Sequence, residues 1–222
     1  PAIYNAVVTA IAMGCSKMNE ISNKIDEDTS VCATYMKNLT ALGIVKKESP
    51  YGEKSSRKTI YSIEDNMFRF WYRFVPENAS IISRGAANLA YKRIAPELSA
   101  YMGGVFEEIC RQYLWRLLLD GKCAVDFCDL GRWWGTNPKT RTQVEIDIMG
   151  TDRDSALFAE CKWTNEKVDL SVLETLVERS NLFHYKQKHF YLFAKTDFTK
   201  GCMDKAAEMG NVTLVAYSDM LK

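Results

Sequence analysis

Several signals are missing from this chain, and each absence removes a class of function. No apolar run approaches the roughly 20 residues that span a bilayer, so no membrane partner is expected. Neither sign of charge dominates: 29 Lys and Arg stand against 28 Asp and Glu, so any contact with nucleic acid has to come from local patches. Histidine is scarce, with only His184 and His189, and the seven cysteines form no C-x-x-C pair, which argues against a zinc site. Odd in number and scattered from Cys15 to Cys202, those cysteines point to a reducing cytoplasm. There is no G-x-x-x-x-G-K-S/T phosphate loop, so the chain itself is not expected to bind ATP. The first residue is Pro1, not methionine, and the expectation is a fragment of a longer polypeptide.

What is present begins with size: 222 residues, 47% of them apolar, suffice for about two domains with real cores. Residues 3–13 predict an apolar helix closed by Gly14, and Met18, Ile21 and Ile25 place a buried stripe on a second, short helix. Asp28-Thr29-Ser30 signals a third, with Val31, Tyr35, Leu39 and Leu42 as its apolar seam. Two strands follow, about a polar loop. Helix, helix, helix, hairpin is the order of a winged helix-turn-helix, expected over residues 1–66. The candidate nucleic-acid-binding residues are Lys37 on the third helix and Lys46, Lys47, Lys54, Arg57 and Lys58 on the hairpin, placed to meet phosphates. Against this, basic and acidic residues balance up to Asp65, so a spacer domain fits these residues as well as a DNA contact does.

Residues 67–100 read as a helical connector, its aromatic cluster at 68–74 serving packing rather than base stacking, with Pro96 near a helix start. After Gly103-Gly104 comes a helix with Phe106, Ile109, Cys110, Tyr113 and Leu117 on its apolar face and Glu107 beside it. A strand at 124–128, a corner at 131–135 and two acid-bearing strands follow. A helix at 170–184, a wholly apolar strand at 190–194, a helix at 200–209 and a last strand complete an α/β domain over 101–222, a mixed sheet flanked by helices.

The acid-bearing strands carry the chemistry. In Val144-Glu145-Ile146-Asp147-Ile148 charge and apolarity alternate, so on a strand Glu145 and Asp147 share one face and the three apolar residues the other. In Phe158-Ala159-Glu160-Cys161-Lys162-Trp163, Glu160 and Lys162 likewise share a face, and the turn at 151–155 is short enough for a hairpin. Asp147 and Glu160, with Glu107 from the helix and the backbone carbonyl of Cys161, form a hard oxygen set suited to Mg²⁺ or Mn²⁺. Such an ion activates a water and neutralises a scissile phosphate, while Lys162, kept protonated by its carboxylate neighbours, stabilises the transition state. The candidate catalytic residues are thus Glu107, Asp147, Glu160 and Lys162. Glu145 is either a supporting group or solvent-exposed. The thiol of Cys161 faces the apolar layer and is not read as a nucleophile, and His184 and His189 read as packing or surface. The bland alternative is an ordinary ion pair between Glu160 and Lys162, worth about 0–1 kcal/mol on a surface.

The helix glutamate, strand aspartate and Glu-x-Lys resemble the PD-(D/E)xK nuclease superfamily, with Ile146 where that superfamily often has proline. The flanking words Tyr61-x-Ile63-x-Asp65, Phe70-Trp71-Tyr72-Arg73-Phe74, Gly103-x-x-Phe106-Glu107 and Trp133-Trp134, together with Glu145-Ile146-Asp147-Ile148 and Glu160-Cys161-Lys162-Trp163, resemble the C-terminal region of DEXX-box, AAA-like ATPases of archaea and bacteria. That resemblance covers essentially the whole chain. It implies a restriction-endonuclease-like fold behind a winged helix, DNA as substrate, and an ATPase domain earlier in the same polypeptide as the route to ATP. It leaves two functions open: metal-dependent DNA hydrolysis, or an inactive nuclease-like module that couples an ATPase to DNA or a protein partner.

Overall fold

The computed structural model describes residues 2–53 and 58–221. Lys54 and Arg57, two of the candidate nucleic-acid contacts, lie outside the described residues. The chain is a mixed α/β protein that divides into two compact units, 1–96 and 97–222.

In the first unit α1 (Ala2–Ala12), α2 (Met18–Ile25) and α3 (Thr29–Ala41) precede an antiparallel pair, β1 (Val45–Glu48) and β2 (Ile60–Ile63), in register from Val45↔Ile63 to Glu48↔Ile60. Helix α2 opens with Glu20 reaching back, its Oε2 accepting the Ser16 and Lys17 N–H groups at 2.9 and 3.1 Å, which satisfies two donors that a helix start leaves free. Val7, Val8, Ile11, Ile21, Cys32, Met36, Leu39, Val45 and Ile63 share one core. The seam of α3 therefore runs through Cys32, Met36 and Leu39, while Val31 and Leu42 are exposed. Leu39 and the partly buried Tyr35 of the expected seam do pack on this core, and the sulfur-bearing Cys32 and Met36 join them in place of Val31 and Leu42. Asp65 caps α4 (Asn66–Ile82) by accepting the Phe68 N–H at 2.8 Å.

One helix, α5 (Ala87–Leu119), runs through Pro96, Gly103 and Gly104, none of which ends it. The expected helix start near Pro96 is thus an interior position. There proline forfeits one hydrogen bond while the turns on either side carry the helix on.

The second unit is built on a five-stranded sheet in the order β3-β4-β5-β6-β7. Its strands are β3 (Leu130–Thr136), β4 (Gln143–Thr151), β5 (Ser155–Lys162), β6 (Gln187–Ala194) and β7 (Val212–Ala216), with α6 (Leu170–Ser180) and α7 (Lys200–Met209) as crossovers. The first three strands are antiparallel and the last three parallel. Residues 190–194 are buried throughout, as a strand covered on both faces must be. On one face Phe106, Cys110 and Leu114 of α5 pack on Ile148, Leu157, Ala159, Tyr191, Phe193 and Val215. Leu173 and Leu176 of α6 and Cys202 of α7 are buried on their inward faces.

The edge strand is 130–136, not 124–128. Val125 and Phe127 instead plug the core from a loop. The pair of glycines that suggested a corner serves the strand: an added Cβ at Gly135 would meet the Trp133 ring at 2.8 Å, so the indole lies across the glycine. Truncating the fully buried Phe193, which packs against Tyr191 and Tyr113, removes a central part of this core. Phe193→Ala is expected to cost about 3–5 kcal/mol in a urea unfolding curve.

Candidate active site

The site begins with an irregularity in β4. Gly131 pairs with Met149 and Trp133 with Ile146, so β4 spends one residue more than β3 over this interval, a bulge at Asp147-Ile148. Ile146, opposite Trp133, lies on the face where Trp133 packs on Phe183 and Phe183 on Phe158. Ile148, opposite Ala159, belongs to the cluster under α5. The expectation that Val144, Ile146 and Ile148 share a face is therefore corrected, because the extra residue reverses the alternation.

The bulge also re-aims Asp147. Pairing of β4 with β5 runs from Thr151↔Ala156 to Ile148↔Ala159, and one step further Asp147 Oδ2 accepts the Cys161 N–H at 2.8 Å. A carboxylate thus takes the place of a ladder carbonyl between two strands. Glu160, on the central strand, is 7% exposed at its side chain; its Oε1 meets Lys162 Nζ at 2.6 Å and its Oε2 meets Arg179 Nη1 at 3.2 Å. Arg179 also donates to the Glu145 carbonyl at 2.9 Å, tying α6 to two strands. Glu145 itself pairs with Arg132 at 2.7 Å. The Cys161 side chain packs against the apolar cluster, and burial together with Cys110 pushes its thiol up, as expected of a structural cysteine.

Asp147 is brought within electrostatic reach of Glu107, Glu160 and Lys162, and Glu160 within reach of Glu107 and Lys162. Burial raises Asp147 to about 7, with the Glu160 and Glu107 charges adding and the Cys161 N–H and Lys162 opposing. Burial also raises Glu107, and Arg132 works against that rise. For Lys162 burial disfavours the charged form, but the charge and hydrogen bond of Glu160, with Asp147, outweigh it and raise the pKa. Lys162 is therefore a standing cation at neutral pH.

The rise at Asp147 sets a sign. Between the ordinary 3.8 and about 7 the folded carboxyl keeps a proton that the unfolded chain has released, so its contribution to stability is complete below about pH 4 and lost as pH rises to about 7. The stability difference between the native protein and Asp147→Asn is expected to widen across this window in paired thermal melts. A difference that stays flat from pH 4 to 8 contradicts it.

Four of the other expected contacts, Lys37, Lys46, Lys47 and Lys58, are described residues of the first unit. Lys37 on α3 and Lys47 on β1 are exposed. Lys46 is 3.8 Å from Glu48 and Lys58 is 2.8 Å from Glu53, so each already faces an acidic neighbour. Two residues of the site were not foreseen. Arg179 follows Leu173 and Leu176 at helical spacing on the buried stripe of α6, and a basic residue in line with such a stripe is the signal that marks it. Arg132 was hidden by the reading of 131–135 as a corner.

Among the described residues no group of three His, Cys, Asp or Glu side chains is gathered closely enough to cage a metal ion. The donor set still fits a hydrated hard cation. Asp147 and Glu160 are buried carboxylates that repel each other, and Mg²⁺ commonly takes one or two carboxylates and keeps its waters.

No helix among the described residues is long and apolar enough to cross a membrane. Residues 71–174, which include all four residues of the expected set, match a family model, DUF234, described as archaea bacterial proteins of unknown function. The structure of protein VC1899 from Vibrio cholerae aligns with 98% of this chain and 48% of its own at a TM-score of 0.42 and 12% identity. Over 170 residues, 75% of its length, the chain is 32% identical to an uncharacterized protein of Methanocaldococcus jannaschii, MJECL04, and it spans 37% of that relative.

Proposed function

We propose that the second unit is a PD-(D/E)xK nuclease-like domain that hydrolyses DNA phosphodiesters with Mg²⁺ or Mn²⁺, and that the first carries a winged helix which targets it. The observation that carries this reading is the placement of Asp147 and Glu160 side by side on adjacent strands at a bulge, with Lys162 on Glu160. Asp147 and Glu160 hold the ion, with the Cys161 carbonyl and Glu107 alongside. When bound, the ion supplies charge neutralisation and a water of lowered pKa. Lys162, fixed by Glu160 and always charged, meets the negative charge that builds on the phosphate. The mixed sheet with a long helix on one face suits this fold, and three helices followed by an antiparallel pair suit a winged helix. Lys37, Lys46, Lys47 and Lys58 are its DNA-facing residues.

The resemblance to DEXX-box, AAA-like ATPases extends the proposal: ATP acts through a domain earlier in the polypeptide. Because the chain spans 37% of MJECL04, that relative has room for such a domain. One observation favours a second reading, an inactive nuclease-like module that couples an ATPase to DNA or a protein. Both Glu160 oxygens are engaged by cations, as in a purely structural ion-pair network. Incubating the chain with supercoiled, linear and single-stranded DNA in Mg²⁺, Mn²⁺ and EDTA separates the two: cleavage confined to the metal-containing samples supports hydrolysis, and its absence for every DNA form supports the module.

A further inference from the structure

Arg179 is not part of the motif that suggests a nuclease, yet it is built into the site as firmly as Lys162. It leaves the buried stripe of α6 to place Nη1 at 3.2 Å from Glu160 Oε2 and at 2.9 Å from the Glu145 carbonyl. Lys162 occupies the other Glu160 oxygen at 2.6 Å, and the two cations are close enough to repel each other across that carboxylate. Glu160 is thus held by two positive groups where one would satisfy it. Lys162 and Arg179 are both partly exposed, so Arg179 can turn to a second anion while Lys162 still pairs with Glu160.

The charge count around the site gives the second state its chemistry. Glu107, Glu145, Asp147 and Glu160, with Glu108, face Arg132, Lys162 and Arg179, with Arg111 held by Glu108, a net charge of one negative when all are ionised. A divalent cation alone would turn this positive. A phosphodiester group, carrying one negative charge, would restore neutrality and offer a planar guanidinium a partner it binds well.

We propose that Arg179 is a positioning residue that holds Glu160 in place of the metal ion and passes to a backbone phosphate of the substrate, so that metal and phosphodiester bind as a coupled pair. The inference rests on the metal-site reading above. Each ligand then tightens the other by the same factor, as linkage requires. Arg179 acts as an internal competitor for the cation, and removing it should strengthen metal binding while weakening the coupling.

The test is a calorimetric Mn²⁺ titration of the 222-residue chain, alone and with a short phosphorothioate DNA duplex, for the native protein, Arg179→Gln and Arg179→Lys. Arg179→Gln is expected to bind Mn²⁺ about tenfold more tightly, equal to about 1.4 kcal/mol, because a charge-assisted competitor is gone. The duplex is expected to tighten Mn²⁺ binding about tenfold or more in the native protein and in Arg179→Lys, and less in Arg179→Gln. A merely structural arginine predicts the opposite, a loosened site and weaker Mn²⁺ binding in Arg179→Gln. Unchanged or weaker binding in a folded Arg179→Gln overturns the role of Arg179 and leaves the metal site standing. If that variant does not fold, the native protein decides alone: an Mn²⁺ affinity unmoved by the duplex overturns the coupling. Silence of every sample towards Mn²⁺ overturns both the inference and the metal-site reading.

Discussion

Asp147→Asn is expected to yield a more stable protein that has lost metal binding and DNA cleavage. Asp147 is 6% exposed and lies beside Glu160 and Glu107, so above its pKa of about 7 the fold carries a buried charge next to two like charges. Asparagine keeps an oxygen for the Cys161 N–H and brings an NH₂ group to the neighbouring carboxylates, so the hydrogen bond at the bulge survives while the repulsion goes. A gain of about 1–4 kcal/mol at pH 8 follows, measured by denaturant unfolding without metal, and it shrinks towards pH 4. The thermal shift produced by Mn²⁺ should disappear, and cleavage should fall below detection. Equal stability at pH 8 would show that the carboxylates do not strain one another. A retained Mn²⁺ shift would remove Asp147 from the ligand set.

Lys162→Ala should separate chemistry from binding. Its Nζ lies 2.6 Å from Glu160 Oε1, and its charge is secured by Glu160 and Asp147. If it serves the transition state, kcat falls by about 10²–10³ while KM for DNA changes little, the range seen when one preorganised electrostatic donor is removed. Mn²⁺ binding should persist, because the lysine is no ligand and its loss frees a carboxylate oxygen. The fold pays about 1–3 kcal/mol for leaving nearly buried Glu160 with Arg179 alone. A variant with native kcat would place Lys162 in the structural ion-pair network, and one that lost Mn²⁺ binding would make it a support for the ligand geometry.

How much of this was legible in the sequence depended on whether one strand could be read by itself. Alternation and helical spacing were sufficient for α2, the Phe106 face of α5, the wholly buried strand at 190–194 and the Glu160-x-Lys162 pair. They failed where two strands had to be compared. The bulge at Asp147-Ile148 exists only as a mismatch between β3 and β4, and Val144–Ile148 by itself gives no sign of it. Arg132 and Arg179 were missed for a related reason, since each meets the site from an element whose distance from it is set by tertiary packing. Pro96, Gly103 and Gly104 misled because local propensity is a weak prior against the packing of a long helix. On α3 Leu39 and Tyr35 were legible and Val31 was not, because Val31 and Cys32 both allow helical spacing and only the packed core distinguishes them.

The central claim, that Asp147 and Glu160 form a cation site on the sheet, is tested most directly by calorimetric titration of the native chain and Asp147→Asn with Mn²⁺ at pH 8, where Asp147 is ionised. The account predicts a saturable signal with one ion per chain in the native protein and none in Asp147→Asn. Equal signals from both, or none from the native protein in the presence and absence of DNA, would contradict it.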